Sequence, residues 1–198
     1  MTIVELGSEP MQMTFRQRWS HYLALIFGGL AIVVGLNLRD STLNATTLYS
    51  NAQAGITAEY PLNWLLDESG DYVFRVQDIS ARGFPTTIQV AARPIGTNTE
   101  ARNIFDALTL SRAPLAGYSV LSEEPFALPD ETMTRAMSYS YVATQTNPFL
   151  QNIPVVVQGI DILITARGQA IIITFQSESS SFDANLPILQ RFLESLQL

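Results

Sequence analysis

Ile160-Asp-Ile-Leu-Ile-Thr-Ala-Arg-Gly-Gln-Ala-Ile-Ile-Ile-Thr-Phe175 reads as two β-rich runs turned at Gly168, so Ile160 to Arg167 and Gln169 to Gln176 form a hairpin. A third strand candidate, Met133 to Ala143, carries the clearest alternation. Met133, Arg135, Met137, Tyr139 and Tyr141 interleave with Thr134, Ala136, Ser138, Ser140 and Val142. One side of that strand should be covered and the other largely buried or small.

Working outward, Val155 to Ala166 extends the first hairpin strand and Tyr118 to Ser122 adds another. Upstream, Tyr72 to Val76 and Thr86 to Ala92 are rich in β-formers, and Gly55 to Trp64 begins with a short strand closed by Pro61. Thr99 is the expected N-cap of a helix through Ile104, Phe105 and Leu108 that ends near Pro114. The chain closes with a helix: Ser181 as its cap, Asp183 in the first turn, and Phe182, Leu186, Leu189, Phe192, Leu193 and Leu196 on one face. Pro187 falls inside that pattern, so the helix starts there or bends there. Strands, helix, strands, helix is an α+β order, best met by an antiparallel sheet sandwiched by helices.

Ahead of this lies an apolar run, His21 to Leu38, entered through Arg16, Arg18 and Trp19 and left through Arg39 and Asp40. With its flanks the run approaches the roughly 20 residues that cross about 30 Å of hydrocarbon. It reads as a single transmembrane helix. A cleaved secretory signal is the competing reading, but the small-x-small triplet Ala52-Gln53-Ala54 lies about 16 residues beyond the run, too far for cleavage. Arg16 and Arg18 before the span against Arg39 after it place the N-terminus in the cytoplasm, with Arg16, Arg18, Trp19 and Tyr22 as interface anchors. The expected organisation is a cytoplasmic tail over 1–20, the span over 21–38, a Ser/Thr/Asn-rich linker over 39–54, and an extracytoplasmic domain over 55–198.

The chain carries 11 basic and 18 acidic residues, and the net charge of −7 sits entirely beyond the span. Nucleic-acid affinity comes chiefly from cations on phosphate, so nucleic acid is excluded as a partner. There is no cysteine and no lysine, and the single histidine, His21, lies at the mouth of the span. Triads, Cys–His pairs, Schiff bases and thiolate or imidazole metal sites are therefore ruled out of the domain. No catalytic, cofactor or metal site is expected. Asp67-Glu68-Ser69-Gly70-Asp71, Glu123-Glu124 and Asp130-Glu131 are the remaining carboxylate groups; each reads as a solvated turn, with calcium as the functional alternative. Paired carboxylates facing across a cleft would serve a hydrolase, which spacing alone does not show.

Within the span, Ala24, Gly28, Ala31 and Gly35 recur at steps of four, three and four and so share one face. Small residues let another helix backbone approach closely in lipid, although glycine and alanine are also simply frequent in spans. The expected partners are integral membrane subunits and the bilayer. A small-molecule ligand is not expected.

With its elements in this order, the stretch from Gly55 to Leu198 resembles the PsbP-like superfamily, the α-β-α sandwich of photosystem II extrinsic subunits and of Mog-type Ran-binding relatives. The resemblance rests on Ile56 to Trp64, the helix around Ile104 to Arg112, Tyr139-Ser-Tyr-Val142, Val155 to Thr165 paired with Ile171 to Phe175, and the closing helix. It implies a non-catalytic accessory role in a membrane assembly. Two departures stand out: no cysteine for a lipid anchor, and no histidine in the domain for the family's metal sites. One span with a cofactor-free outer domain also looks like small accessory subunits of bacterial respiratory or photosynthetic complexes, alternative complex III among them. The other class of function left open is an envelope-anchored protein binding a small ligand or lipid between sheet and helix.

Overall fold

A computed structural model describes residues 15–81, 83–96, 100–144 and 153–198. It forms two compact units, one ending at Ala45 and the other Thr46–Leu198. The first is a single helix, α1 (Phe15–Leu43). Its 22-residue segment Arg18–Arg39 is long and apolar enough to cross a membrane, about 33 Å at 1.5 Å per residue.

The second unit opens with β1 (Thr46–Asn51) and β2 (Ile56–Pro61), which pair antiparallel from Thr46 opposite Pro61 to Asn51 opposite Ile56. Here the expected linker over 39–54 is corrected. Its first residues continue α1 to Leu43 and its later ones form β1, because threonines suit an extended ladder and Tyr49 supplies a buried anchor, 6% exposed. Asn51 closes the hairpin by accepting the backbone N–H groups of Gln53 and Ala54, both at 3.0 Å.

There follow β3 (Leu65–Asp67), β4 (Phe74–Gln77), β5 (Thr87–Pro94), α2 (Ala101–Arg112), β6 (Ser119–Ala127), β7 (Met133–Thr144), β8 (Pro154–Ala166), β9 (Gln169–Glu178) and α3 (Phe182–Ser195). Strands β3 to β9 make one antiparallel sheet in the order β3-β4-β5-β9-β8-β7-β6. The β8–β9 turn is the one anticipated at Gly168: Arg167 and Gly168 both take positive φ, 51° and 74°, as a two-residue hairpin turn requires. β3 was not foreseen, being three residues long and held by its register against β4.

Alternation splits the sheet into two faces. On one, Phe74, Val76, Ile88, Val90, Ile162, Ile173 and Phe175 meet Leu189, Phe192 and Leu193 of α3, with Tyr49, Ile56 and Tyr60 of the β1–β2 hairpin completing the layer. Ring contacts run through it: Tyr49 lies 4.1 Å from Phe74, and Phe74 6.2 Å from Phe192. On the other face Phe105 and Leu108 of α2 cover Met137, Tyr139, Leu163 and Ile172. The sandwich is therefore sheet between helices, as the element order requires.

Two helix starts differ in detail from expectation. Ser181 opens α3 through its carbonyl, which accepts the Asn185 N–H at 3.0 Å, while its hydroxyl turns back to the Glu178 carbonyl and makes no cap. Asn185 ties this end down by donating to Thr86 and Ser177 hydroxyls at 3.0 and 2.9 Å. α3 begins at Phe182 and runs through Pro187 rather than starting there. Thr99 lies outside the described residues, and Glu100 occupies the N-cap position of α2 without a side-chain bond.

The sheet's two edges are blunted. β3 is too short to template another strand; β6 carries Pro125, the adjacent Glu123 and Glu124, and an irregular register between Val120 and Ser122.

Candidate functional site

The α2 face of the sheet is organised as two neighbouring cross-strand rows. In one, register aligns Asp67, Arg75, Gln89, Thr174 and Asp161; in the next, Gln77, Thr87, Gln176, Gly159 and Tyr139. The apolar positions under α2 give way along these rows to amides, hydroxyls and charge.

At the junction stands a buried ion pair. Asp161 is fully buried, interrupting an aliphatic strand between Ile160 and Ile162, and Arg112 at the last turn of α2 binds it through both terminal nitrogens, one at 2.9 Å. Thr174 donates a third hydrogen bond to the same carboxylate at 2.6 Å. Burial works against the guanidinium's charge, but the Asp161 carboxylate outweighs it and holds the Arg112 pKa above its ordinary value. Carboxylates removed from water are tolerated when several donors converge on them, as here.

Arg112 also lies 4.2 Å over the ring of Tyr139, within cation–π range. Tyr139 is wholly buried, and burial first, then the Asp161 charge, push its phenol above the ordinary range. Its hydroxyl accepts from Gln176 at 2.8 Å. Gly159 makes room for that ring: a Cβ there would sit 2.4 Å from Tyr139 Cζ. Tyr139, Tyr141 and Trp64 all belong to the core.

Beyond Arg112 the face opens into a groove of about 420 Å³ over β4, β5 and β9. Its floor is Gln77, Gln89, Thr87 and Gln176, and its walls include Arg112, Tyr141 and the β4–β5 loop residues Phe84 and Pro85. Phe84 meets Tyr141 edge-on at 6.3 Å. Sequence reading missed this site. Asp161 inside an isoleucine-rich strand was the available signal, since a charge at a core position demands a partner.

In the acidic loop after β3 the donors converge on Asp67. Asp67 accepts from the Ser69 hydroxyl and backbone N–H, from the Tyr72 hydroxyl, and from Arg75 at 2.6 Å. Those donors, Ser69 and Tyr72 foremost, hold the Asp67 carboxyl well below the usual range. A depressed carboxyl contributes stability above its unfolded pKa, about 4, and loses it as pH falls toward the folded value. Acid titration of unfolding should therefore show a steeper loss below about pH 4 in the wild-type chain than in Asp67→Asn. Matching acid limbs for the two proteins would refute this. Glu68 accepts from Tyr49, and Glu123 pairs with Arg135 at 2.9 Å. Asp130 accepts the Thr132 N–H at 3.0 Å. Among the described residues no group of three or more His, Asp or Glu side chains is placed to hold a metal.

In α1, taken by itself, Ala24, Gly28, Ala31 and Gly35 fall within about 60° of arc at 100° per residue. Arg16, Arg18, Trp19 and Tyr22 occupy its first turns, the two aromatics 55% and 60% exposed, with Trp19 edge-on to Phe15 at 6.1 Å.

No protein-family model and no curated protein matches the sequence. Among solved structures, cyanobacterial PsbP (CyanoP) from Synechocystis matches with a TM-score of 0.55 at 12% identity, over 78% of this chain and 92% of that one. The fold is PsbP-like. LpqN of Mycobacterium tuberculosis, a protein involved in cell envelope biogenesis, matches the same PsbP-like domain with a TM-score of 0.50 at 12% identity, over 77% of this chain and 90% of its own. The yeast Ran-binding protein Mog1p matches with a TM-score of 0.48 at 12% identity, over 77% and 95% of the two chains.

Proposed function

We propose that the chain is a non-catalytic accessory subunit anchored in a bacterial cell membrane by α1, its PsbP-like domain held outside and docked on larger integral subunits. One observation carries the reading: a helix of membrane-crossing length that lines up Ala24, Gly28, Ala31 and Gly35 as a small-residue stripe on one face. In lipid such a stripe gains by close packing with another helix. The lack of lysine and cysteine, with the one histidine in the span, supports a role other than catalysis. The fold is compatible with service in an energy-transducing complex, electron transport or photosynthetic, with alternative complex III as a candidate. Arg16 and Arg18 against Arg39 support an N-terminus in the cytoplasm.

Native membranes dissolved in a mild detergent test this. The wild-type chain should co-purify with larger membrane subunits, and Gly28→Leu with Gly35→Leu should remove most of them while the chain stays in the membrane fraction. A wild-type chain that purifies alone overturns the proposal.

A second reading is favoured by an apolar groove of about 470 Å³ between α3 and the β6–β7 loop, lined by Phe126, Leu128, Ile160, Leu186, Leu189 and Leu193. It suits an acyl chain, and a bound lipid recovered by organic extraction of the purified protein would support it.

A further inference from the structure

We propose that the polar groove beside Arg112 is a binding site for a neutral polyhydroxylated ligand, a saccharide unit either free or carried as a lipid headgroup. This goes beyond the docking role and does not depend on it. Three features select that chemistry.

The first is charge. Both arginines at the groove are already matched, Arg112 by Asp161 and Arg75 by Asp67, so the site offers donors without a net positive field. The chain around it is acidic, with a net charge of −7, which disfavours an anion.

The second is hydrogen-bonding capacity. Gln77 and Gln89 carry no side-chain hydrogen bond among the described residues. Gln176 spends only its amide nitrogen, on Tyr139. Thr87 spends its proton on the Pro85 carbonyl at 3.0 Å, which leaves its oxygen free to accept. The floor thus presents amide donors and acceptors side by side, and each primary amide can match two neighbouring hydroxyls. Cross-strand register fixes their spacing, with Arg75 opposite Gln89 and Gln77 opposite Thr87.

The third is the wall. Phe84, half-buried and edge-on to the buried Tyr141 at an interplanar angle of 88°, offers apolar ring surface of the kind against which the C–H face of a sugar packs. A volume of about 420 Å³ admits one or two sugar rings.

The test uses the full chain in phosphatidylcholine nanodiscs and saturation-transfer NMR, irradiating aromatic protons. Maltose and lactose are the free probes; vesicles with and without digalactosyl diacylglycerol test the headgroup by co-sedimentation; inorganic phosphate, added as a competitor that would quench the sugar signal, tests an anion. Saturable transfer to sugar ring protons is expected, weakened about tenfold in Gln77→Ala/Gln89→Leu, the loss of one or two neutral hydrogen bonds. Gln89→Ala alone, with an unchanged circular dichroism spectrum, guards against misfolding. Free sugar binding assigns a saccharide, and capture by glycolipid vesicles alone assigns the headgroup. Phosphate binding in preference to sugar, no binding in both the free-sugar and the glycolipid arms, or variants that bind as the wild type does would overturn the proposal.

Discussion

Arg112→Met should destabilise the domain by about 3–5 kcal/mol, because it leaves a fully buried carboxylate with a single neutral donor, Thr174. Against a total stability of about 5–15 kcal/mol that is a large share, and the midpoint of thermal unfolding should fall by about 10 °C. The double replacement Arg112→Met/Asp161→Leu should recover most of the loss, since it removes the stranded charge along with its partner. Denaturant unfolding of the four proteins of the cycle checks both statements. If the single variant costs under about 1 kcal/mol, the pair is behaving as an exposed one and the account of this face fails.

Tyr49→Ala carries the second large effect, about 3–5 kcal/mol for deleting a buried aromatic. The ring packs 4.1 Å from Phe74, and its hydroxyl donates to Glu68 at 2.9 Å. Tyr49→Phe keeps the ring and should cost only about 1 kcal/mol. A flexible tether would tolerate either change, so unaltered unfolding of Tyr49→Ala would return the segment to the status of linker.

That segment shows where the sequence was readable and where it was not. Long periodic runs announced themselves: the aliphatic pair around Gly168, the alternation from Met133, and the Leu/Phe stripe of α3 all lie where periodicity placed them. β1 did not, because Thr46, Thr47, Ser50 and Asn51 have tether composition and only Tyr49 points inward, a signal one residue long. β3 owes its existence to its neighbour in the sheet. The polar face was hidden for a different reason. Arg112 and Asp161 stand 49 residues apart, and their meeting depends on the register of β8 and the docking of α2, neither of which local pattern fixes. Asp67 and Asp130 accept from residues two places on, as turn carboxylates do, but the turn reading of Glu123 and Glu124 beside Pro125 is corrected: both lie inside β6, opposite Met137 and Ala136, because the ladder with β7 decides what local composition does not.

The curtailed β3 and the proline-bearing, doubly acidic β6 leave the seven-stranded sheet without a long, regular edge for another strand to pair with. Along that sheet, recognition falls to side chains on the helices and on its broad sides rather than to backbone pairing. Copies crowded together thus meet no ready template for strand exchange at either end of that sheet.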